Sequence, residues 1–203
     1  MKKRTRDTRH APAPYSTHDE IIRDFNELNR EGLFAQTIDS LPEVVLILDK
    51  NRCTVFANQA LTRMLEIGSR ESVLGRRPGE ILRCRHGEDA ECGCGTTTAC
   101  RHCGAVEAIL KSQRGEASTA ECRMLVKGAR GYEARDLRIH ATPFLHHGEA
   151  FTCFVAVDIA DEKHRYFLER VFLHDLMNTL SALRGFAELV QEEAVDPEDQ
   201  KAV

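Results

Sequence analysis

The distribution of apolar and polar residues predicts five strands around a helical middle. The apolar run VVLIL at 44–48 precedes polar turn residues at 49–51 and a second strand at 53–56, which predicts a hairpin. Three later segments have the alternation and the glycine-containing turns of antiparallel strands, and they lie at 118–128, 131–145 and 149–160. The pattern therefore predicts two strands before the middle of the chain and three after it.

Helical periodicity marks three segments around these strands. An amphipathic helix is predicted at 18–40, with an interruption at Gly32. Asn58 can cap a short helix after the hairpin, because its side chain can accept a hydrogen bond from a backbone N–H of the first turn. A further helix at 104–116 precedes the last three strands. The chain is thus predicted to form an α+β domain, a sheet with flanking helices.

The last predicted element is a single long helix at 161–194. Its apolar residues are spaced alternately by three and four positions, which is the heptad pattern of a coiled coil. These residues are Leu173, Leu176, Leu180, Leu183, Ala187 and Val190, and Tyr166 lies in phase with them seven residues before Leu173. Because no second helix of this chain is predicted to cover the stripe, we expect the helix to bury it in a homodimer or a helical bundle.

Composition and charge narrow the class of protein. The chain has 203 residues with a net charge of −4 and a pI near 6.1, so it lacks the positive field that favours nucleic acid. Its basic N-terminal residues are not followed by an apolar run, and no run is long enough to span a bilayer. We therefore expect a cytoplasmic protein that binds neither nucleic acid nor membrane, with a disordered basic tail at residues 1–17.

Five of the eight cysteines lie close together, at positions 84, 92, 94, 100 and 103. In a reducing cytosol such clustered thiols are more often metal ligands than disulfides. The irregular spacing, with a single C-x-x-C pair, favours an iron–sulfur cluster over structural zinc, which usually uses two such pairs. Zinc and a metal-free thiol switch are alternatives, and His86 or His102 could replace one thiolate. The remaining cysteines fall in predicted strands as small core residues: Cys53, Cys122 and Cys153.

The order of the elements resembles a Per-Arnt-Sim (PAS) sensor domain. The three late strands end on VDIADEK, in which Asp158 and Ile159 resemble the acidic exit motif at the end of such domains. The resemblance covers residues 33–160. It implies a PAS-like five-stranded antiparallel sheet with flanking helices, followed by a long C-terminal coiled-coil helix.

The long helix carries FLHDLMNTLSALRGFAELV, which resembles the first helix of the dimerisation and histidine-phosphotransfer domain of two-component sensor kinases. The resemblance implies that His174 accepts the phosphoryl group, that Asp175 orients its imidazole or acts as the base, and that Asn178 positions water for the reverse reaction. His174 and Asn178 are four residues apart and share a helix face.

The same resemblance implies two protein partners. One is the receiver domain of a response regulator, and the other is an ATP-binding kinase domain, either in a longer chain or acting in trans. We expect the chain alone not to phosphorylate a substrate, because the sequence contains no glycine-rich ATP-binding segment. The sequence leaves open whether the chain is part of a longer kinase, a truncated relative or a stand-alone adaptor.

The run GCGTTTACRHCGA resembles cysteine-rich insertions in some bacterial PAS-containing sensor kinases. The resemblance implies that the ligands are Cys84, Cys94, Cys100 and Cys103, with Cys92 as a spare or alternative ligand. The implied cofactor is a 4Fe–4S or 2Fe–2S cluster, with zinc as the alternative. Positive charge beside these ligands would favour thiolates, and it is supplied in the sequence by Arg83, Arg85 and Arg101.

These resemblances together predict a cytoplasmic sensor module of a two-component histidine kinase that responds to redox state or to a gas. The alternative is a zinc-stabilised PAS adaptor that dimerises without phosphotransfer. The predicted segments are a basic tail at 1–17, a helix at 18–40, a PAS-like domain at 41–160 with its cysteine loop at 84–103, a phosphotransfer helix at 161–194 and a tail at 195–203.

Overall fold

The chain divides into two compact units between Ile159 and Ala160. The first unit contains the sheet and its helices, and the second is a helix. The computed structural model describes residues 10–30, 32–88, 90–128 and 131–195. The ends of both predicted tails, at 1–9 and 196–203, lie outside the described residues.

Five antiparallel strands form the sheet of the first unit. They are β1 (Val44–Leu48), β2 (Thr54–Ala57), β3 (Ser118–Gly128), β4 (Gly131–His146) and β5 (Glu149–Asp158). Their order across the sheet is β2-β1-β5-β4-β3, so the first and last strands of the chain pair with each other. Every residue of β1 is buried, whereas more buried and more exposed residues alternate along the edge strand β3.

Asp49 closes the hairpin between β1 and β2. Its Oδ1 accepts hydrogen bonds from the backbone N–H groups of Asn51 and Cys53, both at 2.8 Å. Arg52 between them adopts a left-handed conformation with a φ of 65°. The predicted hairpin is therefore confirmed, and its turn buries the Arg52 side chain, which is only 4% exposed.

The helices of the first unit flank this sheet. They are α1 (His18–Arg30), α2 (Gly32–Asp39), α3 (Gln59–Leu65), α4 (Pro78–Ile81), α5 (Arg85–Glu88) and α6 (Gly104–Ser112). The predicted cap at Asn58 is confirmed, since its side chain accepts a hydrogen bond from Leu61 N at 3.3 Å. The segment predicted as one helix at 18–40 forms two helices, and the second begins at Gly32.

The cysteine loop has more local structure than its composition indicates. It contains the short helix α5 and a 3-10 helix at Thr98–His102, which ends just before α6. The predicted helix after the loop is confirmed as α6, although it ends at Ser112 rather than Glu116.

Two hydrophobic cores form because helices cover both faces of the sheet. On one face α3 and α6 pack over Leu46 and Leu48, and on the other α1 packs over Ile47 and Phe151. Alternate residues of β1 point into opposite cores, as successive side chains of a strand do. The cysteine loop lies on the side of α6.

The second unit is α7 (Ala160–Val195). With this helix the predicted fold class is confirmed: a five-stranded antiparallel sheet with flanking helices, followed by a long C-terminal helix. Its pairing into a coiled coil and the domain boundaries stay predictions. Within the described ranges, no helix combines the length and the hydropathy that crossing a membrane requires.

Candidate cofactor site and phosphotransfer helix

Separate parts of the cysteine loop bring their side chains together beside α6. Gly79 of α4 lies between two of them, because a methyl group on its Cα would stand 2.6 Å from the sulfur of Cys94 and 3.5 Å from Cβ of Cys84. Cys94 and Cys103 both pack with the buried Cys100. Cys84, Cys100 and Cys103 are all electrostatic neighbours of Cys94. We call Cys84, Cys94, Cys100 and Cys103 the thiol group, and their role as ligands stays a prediction.

The members of the thiol group influence one another electrostatically. Burial raises the pKa of Cys94 to about 12, and the neighbouring Cys103, Cys100 and Cys84 add to the rise. The Cys94 thiol is enclosed by protein although the residue as a whole is partly exposed. Burial also raises the pKa of Cys84. Buried thiols that lie close together do not ionise together without a positively charged partner, because their thiolates repel each other. A bound metal ion supplies the positive charge that removes this repulsion.

A fifth thiol, that of Cys122 in β3, contacts Cys103 of the thiol group. It is 4% exposed, and its sulfur lies 3.5 Å from that of Cys103. The contact with Cys122 lowers the pKa of Cys103 to about 6, and backbone N–H groups at the start of α6 act in the same direction. The same contact raises the pKa of Cys122.

Arg77 is a buried cation at the centre of the loop, only 1% exposed. Its Nη1 donates to the carbonyls of Cys92 and Cys94 at 3.1 and 3.2 Å. Its Nη2 donates to the carbonyls of Ala13 and Pro14 at 3.1 and 2.8 Å. One guanidinium group therefore ties the cysteine loop to the N-terminal segment.

The N-terminal segment at residues 10–17 covers the loop. The ring of Tyr15 lies 4.1 Å from the Arg77 guanidinium, and its hydroxyl donates to Glu80 at 2.5 Å. Ala11 is 1% exposed and packs with the thiol group. These residues belong to the predicted tail, and the sequence contains no periodicity that would indicate this packing.

Arg52 is a second buried cation beside the thiols. Its Nη2 donates to the Pro12 carbonyl, and its Nη1 has no hydrogen-bond partner among the described residues. A methyl group on Gly95, whose φ is 90°, would stand 2.5 Å from that Nη1. Burial, followed by repulsion from Arg77, lowers the pKa of Arg52 to about 10. Both guanidinium groups donate to backbone carbonyls. The carboxylate of Glu80 lies in the same cluster, where it accepts hydrogen bonds from the backbone N–H groups of Arg77 and Cys94.

The donor set fits a thiolate-bound cofactor with a net negative charge. Thiolates suit iron–sulfur clusters and zinc, and buried cations offset the charge of such a group. In the described part of the chain, no three His, Cys, Asp or Glu side chains already stand in a geometry that could hold a metal ion. The ligand set and the cofactor therefore stay predictions, for which side-chain rotations at the thiol group would be required.

The other candidates from the sequence lie apart from the thiol group. Cys92 contributes its carbonyl to Arg77 and is only partly buried. His86 and His102 are exposed, and so are the arginines that flank the ligands in sequence, Arg83, Arg85 and Arg101. Sequence reasoning missed Arg52 and Arg77, because no local pattern indicates that their side chains are buried against the loop.

The cysteine loop is joined to the sheet at its edge. Cys84 forms an isolated antiparallel bridge with Val126 of β3, and Lys127 N donates to the Arg83 carbonyl at 3.2 Å. The contact between Cys103 and β3 is a second attachment to the same strand. Because β3 pairs with β4 along its whole length, a change in the loop reaches the sheet first through β3.

His174, Asp175 and Asn178 lie together on α7. Nδ1 of His174 is 3.4 Å from Oδ1 of Asp175 and 3.2 Å from Nδ2 of Asn178, and its side chain is 72% exposed. The two contacts require different tautomers, because a protonated Nδ1 donates to Asp175 and an unprotonated Nδ1 accepts from Asn178. Only the first tautomer leaves a lone pair on Nε2, the nitrogen that faces neither residue.

The apolar residues of α7 are exposed within its own unit. Leu176 and Leu180 of the predicted heptad are 44% and 52% exposed, and Phe172 and Phe186 outside the heptad are 66% and 67% exposed. An apolar surface wider than a two-helix seam is typical of helices in a bundle. Dimerisation through this helix stays a prediction.

A groove of about 540 Å³ lies next to the attachment of the cysteine loop to β3, since Arg83, Val126 and Lys127 are among the residues that line it. Apolar side chains including Met64, Leu82 and Met124 line it, with Lys127 and Arg135 among the charged residues. Its volume is in the range of small-molecule sites. It provides a place for a ligand that does not involve the cysteines.

Comparison with known proteins finds likeness only among solved structures. No family model matches the chain, and no curated protein is similar to it. A PAS domain from a two-component sensor histidine kinase is 17% identical, with 64% of this chain and 96% of that chain covered and a TM-score of 0.42. The PAS domain of nitrogen regulation protein NR(II) from Vibrio parahaemolyticus is 13% identical, with coverages of 62% and 96% and a TM-score of 0.42.

The PAS domain from Bordetella pertussis BvgS is 18% identical, with 74% of this chain and 98% of that chain covered and a TM-score of 0.45. Sequence identities at this level bear on fold alone. The five antiparallel strands of the chain, with helices between β2 and β3, are the PAS-like arrangement expected from the sequence.

Proposed function

We propose that the chain is a cytoplasmic sensor module of a two-component histidine kinase. In this proposal the PAS-like unit binds an iron–sulfur cluster through four cysteines, responds to redox state or to a gas, and acts on a phospho-accepting helix. The observation that carries the proposal is the packing of the thiol group beside two buried arginines whose guanidinium groups donate to backbone carbonyls.

The proposed ligands are Cys84, Cys94, Cys100 and Cys103, and the buried guanidinium groups of Arg52 and Arg77 would balance their negative charge. The unpartnered Nη1 of Arg52 is available to donate to a sulfur atom, an interaction that tunes thiolate-bound metals. When bound, an iron–sulfur cluster would supply a centre whose potential depends on charge, hydrogen bonding and exposure. The N-terminal segment would exclude water from it.

The attachment of the loop to β3 supports a route from this site toward the helix. Cys84 and Cys103 each contact β3, and β3 leads through β4 to β5, the strand that ends at Asp158. Helix α7 follows β5 directly in the chain. A change in the conformation of the loop would therefore act on the last strand before the helix.

In the proposed phosphotransfer, Nε2 of His174 is the nucleophile. Asp175 would hold the proton on Nδ1, which keeps the lone pair on Nε2, and Asn178 would act in the reverse reaction. The partners in this proposal are a second copy of the chain, an ATP-binding kinase domain and a response-regulator receiver domain. The exposure of His174 and of the apolar stripe on α7 supports such contacts.

Replacing His174 by alanine is expected to lower phosphorylation of the chain by at least roughly a hundredfold, because the nucleophile is removed. The measurement is incorporation of labelled phosphate from ATP in the presence of a separately purified kinase domain. His164→Ala is the matched control, since His164 is exposed on the same helix, and it should leave incorporation unchanged. Equal labelling of the two variants would contradict the role of His174, and absence of labelling in the wild type would favour the adaptor.

The proposed cofactor is tested by metal analysis and absorption spectroscopy on protein purified without oxygen. Brown protein that contains iron and sulfide and absorbs broadly near about 400 nm supports the iron–sulfur cluster. Colourless protein with bound zinc supports the adaptor, in which the groove beside Met64 rather than the cysteines would bind a ligand. Protein without iron or zinc contradicts both.

A further inference from the structure

We propose that Cys103 and Cys122 form a reversible disulfide, by reaction with a peroxide, when the thiol group holds no cofactor. The proposal rests on the proposed function only in that a bound cofactor would occupy Cys103. The disulfide would be a modification separate from cofactor binding, because Cys122 lies in β3 and is not one of the proposed ligands. The disulfide would join the start of α6 to the middle of β3.

The distance between the two sulfur atoms already suits this reaction. They lie 3.5 Å apart, and a disulfide bond is about 2.05 Å long, so an approach of about 1.5 Å completes the bond. The residues are far enough apart in sequence to lie on different elements, with Cys103 capping α6 and Cys122 within β3. Each element is held by its own backbone hydrogen bonds, so the contact does not depend on a flexible segment.

Gly104 allows α6 to begin so close to the strand. A methyl group on its Cα would stand 2.1 Å from the backbone oxygen of Glu121, the neighbour of Cys122. Because only glycine permits this approach, the backbones next to both cysteines are in contact. Backbone packing therefore holds the two cysteines next to each other, within reach of their side chains.

The reaction balances with one peroxide molecule for each disulfide. The sulfur of Cys103 attacks one peroxide oxygen, the O–O bond breaks, and Cys103 becomes a sulfenic acid while the first water leaves. The sulfur of Cys122 then attacks the sulfur of Cys103, the S–O bond breaks, and the second water leaves with the remaining thiol proton. The two thiols lose two electrons and two protons in total, and hydrogen peroxide is reduced to two waters.

The order of attack follows from exposure. Cys103 is partly exposed whereas Cys122 is buried, so an oxidant from solvent meets Cys103 first. A sulfur in a disulfide is not a thiolate and does not bind a metal ion, so the disulfide and a cofactor at Cys103 exclude each other. Cys103 would therefore either bind the cofactor or form the disulfide. The disulfide would cross-link the cysteine loop to β3.

The test uses the full chain, freed of metal by a chelator without oxygen and then treated with one equivalent of hydrogen peroxide. Remaining thiols are alkylated, and the tryptic peptides are analysed by mass spectrometry. Trypsin is expected to release residues 102–111 and 115–123, each of which contains one cysteine. The expected result is a linked pair of these peptides, two hydrogen masses lighter than their sum, in most of the protein and lost on reduction.

Two variants make the assignment specific. Cys122→Ser should abolish the linked pair and keep the metal content of the wild type, and Cys53→Ser, in the opposite core, should keep both. The proposal is overturned if both peptides stay alkylated in peroxide-treated, folded protein, or if Cys103 links to another cysteine. Wild-type protein that is already metal-free when purified without oxygen, and that forms the disulfide, would leave this inference standing and contradict the proposed function. Protein that is purified with metal, and that forms no disulfide after the metal has been removed, would do the reverse.

Discussion

Cys94→Ser is expected to lower the metal content of protein purified without oxygen by at least about tenfold. Cys94 lies between Gly79 and Cys100 in the thiol group. A serine oxygen is a poor substitute for a thiolate toward iron–sulfur clusters or zinc. The fold should survive, because a hydroxyl in place of the thiol costs only about 1–2 kcal/mol of unfolding free energy. Metal analysis and absorption spectra measure the first effect, and circular dichroism verifies the second.

Two cysteine variants serve as controls for this result. Cys92→Ser changes the thiol two residues away, which belongs to the same loop but not to the packed group, and it should keep the wild-type metal content. Cys153→Ser changes a thiol in the opposite core and should do the same. A Cys94→Ser protein with full metal content, or a loss of metal in all three variants, would contradict the proposed ligand set.

Arg77→Met is expected to lower the free energy of unfolding by about 3 kcal/mol and to remove the cofactor. The substitution leaves four backbone carbonyls without their charged donor, at Ala13, Pro14, Cys92 and Cys94. Hydrogen bonds to charged groups each contribute about 1.5–3 kcal/mol, and removal of a buried charge offsets part of their loss. Urea denaturation followed by circular dichroism should show a midpoint lower by roughly 1–2 M.

Arg77→Lys separates the charge of Arg77 from its hydrogen bonds. Lysine keeps the positive charge, but its single ammonium group does not reproduce the planar fork that reaches both segments. We expect Arg77→Lys to be destabilised nearly as much as Arg77→Met but to retain more metal. Arg114→Met, at an exposed position, should change stability by less than about 0.5 kcal/mol. If Arg77→Met were as stable as Arg114→Met, the hydrogen bonds of Arg77 would not stabilise the fold.

Much of the local structure was predictable because the forces that form it act between neighbours in the chain. The alternation along β3, the cap at Asn58 and the turn at Asp49 each depend on residues a few positions apart. Such features follow from side-chain periodicity and from hydrogen bonds to nearby backbone. The same reasoning predicted the continuous helix that became α7.

The sheet order and the surroundings of the thiols were beyond this reasoning. No local pattern indicates that β1 pairs with β5, or that the cysteine loop packs on β3. Arg52 follows a predicted turn, and nothing in the sequence nearby indicates that its charge lies close to a thiol. That proximity arises because the fold buries the side chain of Arg52 beside Cys94. Long-range contacts of this kind depend on which faces meet after the strands have paired.

The sequence by itself determined the α+β class, the order of helices and strands, and the clustering of five cysteines within twenty positions. Only the tertiary structure decided which of those thiols pack together, that Cys122 joins them, and that Arg52, Arg77 and residues 10–17 enclose them. The reason is physical: periodicity reports which side of an element is apolar, whereas a site is made where several elements meet. That meeting is set by the packing of the whole core, to which every element contributes.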